Sequence, residues 1–174
     1  MTIEKLNLPW IDQKEHIRPT AIVLHWWQVP SRLSSIRWFL SALKRKGLSV
    51  QFAVTKDGKI YQLVNSPDVK CAHARCANDS AIGIEIQGFG AKELDRQKEQ
   101  FNAVAELVAK LCKDYKINPE FRVSNTSQQA IFYGVTSHKE VDKYCLARRF
   151  WPKRDVHDGY VQRIIESLKS EQSL

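Results

Sequence analysis

The stretch PTAIVLHWW, Pro19 to Trp27, runs from apolar β-branched residues into a histidine flanked by tryptophans. A strand that ends in His25 brings an imidazole to the lip of a sheet, where it needs a polar partner once it has left water. A second strand-like run, AIFYGVTSH, delivers His138 in the same way. The later stretch WPKRDVHDGY supplies Asp155, His157 and Asp158. Imidazoles and carboxylates are the donors of hydrolytic zinc, which takes three protein ligands and keeps one position for water. Spacing alone leaves the third ligand open among these three residues. It also leaves a satisfied core histidine as the plain alternative for His25.

The elements that would carry these groups follow from periodicity. TAIVLHWW reads as a short buried strand. SSIRWFLSALKRKG reads as a helix with Ile36, Phe39, Leu40 and Leu43 on one face and Gly47 as its stop. LSVQFAVTKDGKIYQLV holds two strand-like runs around Asp57-Gly58, a hairpin signal. SAIGIEIQGFG alternates as another strand. Phe101, Val104, Ala105, Val108, Leu111, Cys112 and Tyr115 recur at helical steps, predicting a long helix from about Asp95 to Lys116. A last strand ends at His138, and HDGYVQRIIESLKS predicts a C-terminal helix. The order β-α-β-β-β-α-β-α describes an α/β domain with a mixed central sheet covered by helices. Residues 1–18 are expected to form an N-terminal extension packed on a domain of residues 19–174.

The chain has 174 residues, enough for one compact domain with an apolar core. No apolar run approaches the roughly 20 residues of a membrane span. MTIEKLNLPW lacks a basic region followed by an apolar stretch, so no secretory signal is read. The expected location is the cytoplasm, or the cell wall after release on lysis. The net charge of +8 points to an anionic partner. Nucleic acid is disfavoured, because zinc-finger spacing, basic heptads and aromatic-glycine RNA-binding motifs are all absent. Lys44, Arg45 and Lys46 end a helix, where cations suit its dipole. Arg148, Arg149, Lys153 and Arg154 form a second basic group. The four cysteines show no CxxC pair. Cys112 reads as core, and Cys71 with Cys76 could bridge a loop, but without a secretory signal free thiols are expected.

Taken in order, IVLHWW, SVQFAVTKDGKIYQLV, CAHARCANDSAIGIEIQG, VTSHKEVD and KRD resemble the zinc-dependent N-acetylmuramoyl-L-alanine amidases, the superfamily of peptidoglycan recognition proteins and phage lysozyme-type amidases. The resemblance spans about Pro19 to Tyr160. It implies Zn²⁺ as cofactor and hydrolysis of the amide between N-acetylmuramic acid and the L-alanine of the stem peptide. It also implies that His25, His138 and Asp155 are the zinc ligands. Asp155 is preferred to Asp158 because Lys153 stands two positions before it, as in the family's last motif. Glu85 resembles the acidic residue that handles the water. Lys153 would donate to the oxyanion, His73 would line the substrate groove, and Asn78 would shape it.

Two departures stand out. Val156 and His157 follow Asp155 where the family commonly writes Pro-Gly. Val50 and Gln51 occupy the strand in which some relatives carry a catalytic tyrosine, so that role would fall on Glu85. A non-catalytic module that binds muropeptides is the competing reading, and retention of three candidate ligands argues for catalysis. The chain is expected to work as a monomer, either as a phage or prophage endolysin or as a recycling enzyme for wall fragments.

Overall fold

The computed structural model describes residues 1–125, 130–145 and 155–171. Its elements are β1 (Ile3–Lys5), β2 (Ala21–Trp26), α1 (Ile36–Lys46), β3 (Phe52–Val54), β4 (Ile60–Gln62), β5 (Ala81–Ile86) and α2 (Ala91–Leu94). They continue with α3 (Lys98–Tyr115), β6 (Arg122–Asn125), β7 (Ala130–Ser137), α4 (His138–Val141) and α5 (Asp158–Glu171). The strands form one mixed 7-stranded sheet in the order β1-β4-β3-β5-β2-β7-β6. β3, β5, β2 and β7 run parallel through its centre. β4 pairs antiparallel with β3, and β6 with β7.

Alternation along the central strands sorts side chains to two faces. Ile22, Leu24, Ile82, Ile84, Ile86 and Val135 point to one face, where α3 and α5 cover them with Val104, Leu107, Val108, Leu111, Tyr160 and Ile164. The other face is split. Val50, Ala53, Tyr61 and Leu63 pack under Phe39 and Leu43 of α1. Ala21, Val23 and Phe132 pack with Ala74, Ala77, Val141 and Cys145. The site lies on this second face.

Local chemistry explains the element ends. Ser35 caps α1 by accepting from the Trp38 amide at 3.2 Å, and Gly47 closes it in the left-handed region at φ 62°. Basic Lys44, Arg45 and Lys46 fill the last turn, as expected. The Asp57-Gly58 signal does form the β3–β4 connection, closed by Thr55 N–H donating to Lys59 O at 3.0 Å. The long helix begins at Lys98, later than expected, because Ala91–Leu94 forms a separate short helix before it. Two strands escaped the sequence reading. β1 lies at one edge of the sheet, parallel to β4, and β6 at the other. Both are short, and neither alternates in a way that stands out from a loop. Leu8 and Ile11 from the N-terminal segment are buried against the α1 side.

The expectation of four free thiols is corrected. Cys76 and Cys145 form a disulfide across a sequence separation of 69, with Cα atoms 5.8 Å apart. Cys71, the expected alternative partner of Cys76, is a buried free thiol in the α1-side cluster. The sheet brings together two segments that sequence distance keeps apart, and no pairing rule applied to spacing finds such a partner.

Candidate metal centre and groove

β2 and β7 are parallel, with Leu24 paired to Ser137 as their last registered pair. One step further, His25 and His138 stand side by side, and the chain turns into α4 at His138. Ser137 caps that turn by accepting from the Glu140 amide at 3.3 Å. Asp155 arrives from the segment before α5. His25 Nδ1 and His138 Nδ1 are 3.1 Å apart. Asp155 Oδ2 is 3.8 Å from the first and 3.6 Å from the second. All three side chains are at most 4% exposed.

These separations fit a metal ion. Tetrahedral zinc with ligands at about 2.0–2.1 Å places its ligand atoms about 3.3 Å apart. Two imidazole nitrogens and a carboxylate oxygen converging in a buried site put three electron-rich atoms face to face, an arrangement that a cation relieves. Among the described residues this trio is the one group of metal-capable side chains whose ligand atoms all lie within 4.8 Å of one another.

The surroundings orient each of the three side chains. Asp155 Oδ1 accepts from the amides of Val156 at 2.8 Å and Trp26 at 3.3 Å, which turns Oδ2 toward the histidines. His138 Nε2 sits 3.3 Å from Asp142 Oδ1, one helical turn on. His25 Nε2 sits 3.0 Å from His73 Nδ1. In metal sites, a hydrogen-bonded outer partner fixes the orientation of an imidazole and raises its basicity.

A groove of about 790 Å³ opens over the trio. Glu85 lines it, on β5 directly across from His25 in the parallel register and therefore on the same face. The strand alternation that hides Ile84 and Ile86 is what turns Glu85 to the groove. His73 and Asn78 line it too. Asn78 Oδ1 accepts from the amides of His73 at 3.1 Å and Ala74 at 2.7 Å, holding the turn at Ala74–Asn78 in shape. Trp27 stacks on Phe39 with ring centroids 4.4 Å apart and forms part of the wall.

Asp158 does not reach the trio. It opens α5 with its side chain 68% exposed and pairs with Lys139 Nζ at 3.8 Å. His157 points elsewhere as well, accepting from the Tyr160 amide at 3.2 Å. Gln51 is fully buried and structural: it accepts from the Gly83 amide at 2.7 Å and donates to Val69 O at 2.8 Å. Lys153, together with Arg148, Arg149 and Arg154, lies outside the described residues.

Residues 15–150 match the family model described as N-acetylmuramoyl-L-alanine amidase. The chain belongs to this family. The amidase reaction, hydrolysis of the peptidoglycan amide, is thereby assigned to it as an enzyme, and the non-catalytic recognition module is set aside. No curated protein matches the sequence. Among solved structures, the amidase is similar to the N-acetylmuramoyl-L-alanine amidase LysC from Clostridium intestinale URNW, with 19% identity, a TM-score of 0.68, and coverage of 100% of this chain and 99% of that one. It is similar to the Staphylococcus aureus hydrolase AmiA at 19% identity and a TM-score of 0.70, covering 99% of this chain and 86% of that one. The Ph2119 endolysin from the Thermus scotoductus MAT2119 bacteriophage Ph2119 shares 20% identity at a TM-score of 0.65, covering 94% of this chain and 99% of that one. At these identities the likeness establishes a common fold.

Several residues around this candidate site carry no sequence signal of their own. Asp142 is the exception, since a carboxylate four residues after His138 is the spacing of neighbours on a helix. Trp38, Lys46 and Arg75 line the groove but look like ordinary surface side chains in the sequence. Arg75 is unusual in its backbone, at φ 48° without being glycine. Among the described residues no helix is long and apolar enough to cross a membrane.

Proposed function

We propose that the amidase is zinc-dependent, with His25, His138 and Asp155 holding the ion and Glu85 moving the proton. The observation that carries this is the convergence of two imidazole nitrogens and a carboxylate oxygen at 3.1–3.8 Å, buried at the floor of a groove. Bound there, zinc would polarise the scissile carbonyl and lower the pKa of a water from 15.7 toward about 7.

The remaining steps belong to the chain. Glu85 takes a proton from the attacking water as its oxygen bonds to the lactyl carbonyl carbon. It then returns that proton to the alanine nitrogen as the C–N bond breaks, leaving a carboxylic acid and a free stem-peptide amine. General acid–base help of this kind contributes about 10²–10⁴ in rate. Lys153 is assigned the developing oxyanion, a role worth about 2.7–4 kcal/mol of barrier for a single donor. Asn78 shapes the groove wall, and His73 lines it. Residues 19–174 are taken as the catalytic domain, with 1–18 as its N-terminal extension.

The setting we infer is the intact cell wall, reached on release from the cell as an endolysin acting alone as a monomer. The net charge of +8 suits a wall rich in carboxylates and phosphates. The Cys76–Cys145 disulfide suits a protein that works outside a reducing cytoplasm.

The test is metal analysis paired with wall digestion. The wild-type chain is expected to hold about one zinc and to release free stem peptide from purified sacculi, while His138→Ala loses both. Normal zinc content and full cleavage in His138→Ala would overturn the ligand assignment. Cleavage of soluble muropeptides but not sacculi would replace the lytic setting with recycling of fragments.

A further inference from the structure

Resting on the zinc reading, we propose that His73 is a positioning residue of the metal centre: through one hydrogen bond it fixes the tautomer and ring plane of His25. An imidazole coordinates through a bare lone pair, so the nitrogen facing the ion carries no proton. The Nδ1 atoms of His25 and His138 are the ones that converge with Asp155 Oδ2. The proton of His25 therefore sits on Nε2, and Nε2 is 3.0 Å from His73 Nδ1. His25 donates and His73 Nδ1 accepts. That places the proton of His73 on its own Nε2, which lies 3.1 Å from the carbonyl oxygen of Ala81 and donates to it. One proton arrangement satisfies every link of this chain, from Asp155 and the ion through two imidazoles to a strand carbonyl.

His73 is also built into place. Gly83 on β5 lies under its ring: a Cβ there would come within 2.8 Å of His73 Cγ and Nδ1 and 2.7 Å of Val50 Cγ2. The glycine leaves room for the ring beside the strand. Asn78 Oδ1 accepts from the His73 amide, and Cys76 is anchored by its disulfide to Cys145. The rings of His25 and His73 meet nearly perpendicular, with centroids 5.1 Å apart and planes at 86°, so His73 presents a lone pair edge-on to its neighbour. A side chain that only contacted substrate would need neither the glycine seat nor the carbonyl acceptor behind it.

The test measures zinc affinity by competition with a chromogenic chelator. It uses the wild-type chain, His73→Leu, His73→Asn and Gly83→Ala, each with thermal melting of the metal-free form as a control for folding. His73→Leu is expected to weaken zinc binding about 10- to 100-fold, the usual effect of removing such an outer partner. His73→Asn places an amide oxygen near the Nδ1 position and is expected to recover most of that loss. Gly83→Ala crowds the ring and is expected to weaken binding even though every polar group remains, which keeps the idea testable if His73→Leu fails to fold. In the zinc-loaded wild type, ¹⁵N spectra are expected to show His25 protonated on Nε2. A His73→Leu chain that binds zinc like wild type and only raises KM overturns this inference and leaves the zinc reading standing. A wild-type chain that takes up no zinc overturns both.

Discussion

Removing the Cys76–Cys145 disulfide tests the correction that the tertiary structure made to the sequence. The bond closes a loop across a sequence separation of 69 residues. In the chain-entropy treatment a loop of about 70 residues costs the unfolded chain about 15 cal/mol/K, or about 4.4 kcal/mol at 25 °C. Cys145 is 5% exposed, so replacing both cysteines by alanine adds a small packing loss to this figure. The assay is urea denaturation of the wild type, with and without reductant, and of the Cys76→Ala/Cys145→Ala chain. With a slope of about 2 kcal/mol/M, the midpoint is expected to fall by about 2 M. The bond also ties the turn after His73 to the segment that follows α4 and its His138, so zinc retention is expected to weaken in parallel. The other two cysteines do not confuse the thiol count, because burial pushes Cys71 up to about 12 and Cys112 up to about 11, making both slow to alkylate in the native state. Four thiols rather than two titrating in the unfolded, unreduced chain, or a stability loss below about 1 kcal/mol, would contradict this account.

Three further outcomes follow from other parts of the molecule. Glu85→Gln is expected to keep its zinc but lose about 10²–10⁴ in turnover, and unchanged turnover on sacculi would move proton transfer to another group. Gly134→Ala is expected to unfold the chain at markedly lower urea, since φ is +82° there and a Cβ would meet Glu120 O at 2.2 Å; a wild-type midpoint would contradict that clash. Burial pushes the Glu93 carboxyl up, but the Ser31 hydroxyl, then the Ser31 and Phe89 amides at 2.7 and 2.9 Å, and the Arg32 charge together outweigh it and hold the carboxyl below the usual range. The Thr55 hydroxyl lowers Asp57 in the same sense. A carboxylate depressed on folding stabilises the native state above its unfolded pKa of about 4, and that gain is lost as the pH falls through the folded value. Thermal melts are therefore expected to be flat from neutrality to about pH 5 and to drop below about pH 4, with a shallower drop in Glu93→Gln; a wild-type chain that gains stability on acidification would contradict this.

Residue pattern alone reveals the inner strands β2, β3, β4, β5 and β7 and the helices α1, α3 and α5, while the short α2 and α4 carry too few residues to show a period. In AIGIEI the alternation turns Glu85 away from the face that holds Ile84 and Ile86, whereas AIVLHW is apolar and buried on both faces, so its pattern marks a strand without choosing a face for His25. The three- and four-residue recurrence from Phe101 to Tyr115 similarly fixes α3. Short edge strands were beyond its reach, since the three residues of β1 acquire their conformation from pairing with β4 rather than from their own propensity.

Tertiary structure alone decided how distant groups meet. Parallel register between β2 and β7 sets His25 beside His138 across 113 residues, and the approach to α5 brings in Asp155 while leaving Asp158 at the surface. The same closure chose Cys145 over Cys71 as the partner of Cys76, and set the His73 ring on Gly83 against His25. Local pattern can orient a side chain relative to its own strand. Which other side chain stands three ångströms away depends on register and crossover, and those are settled by packing the whole sheet.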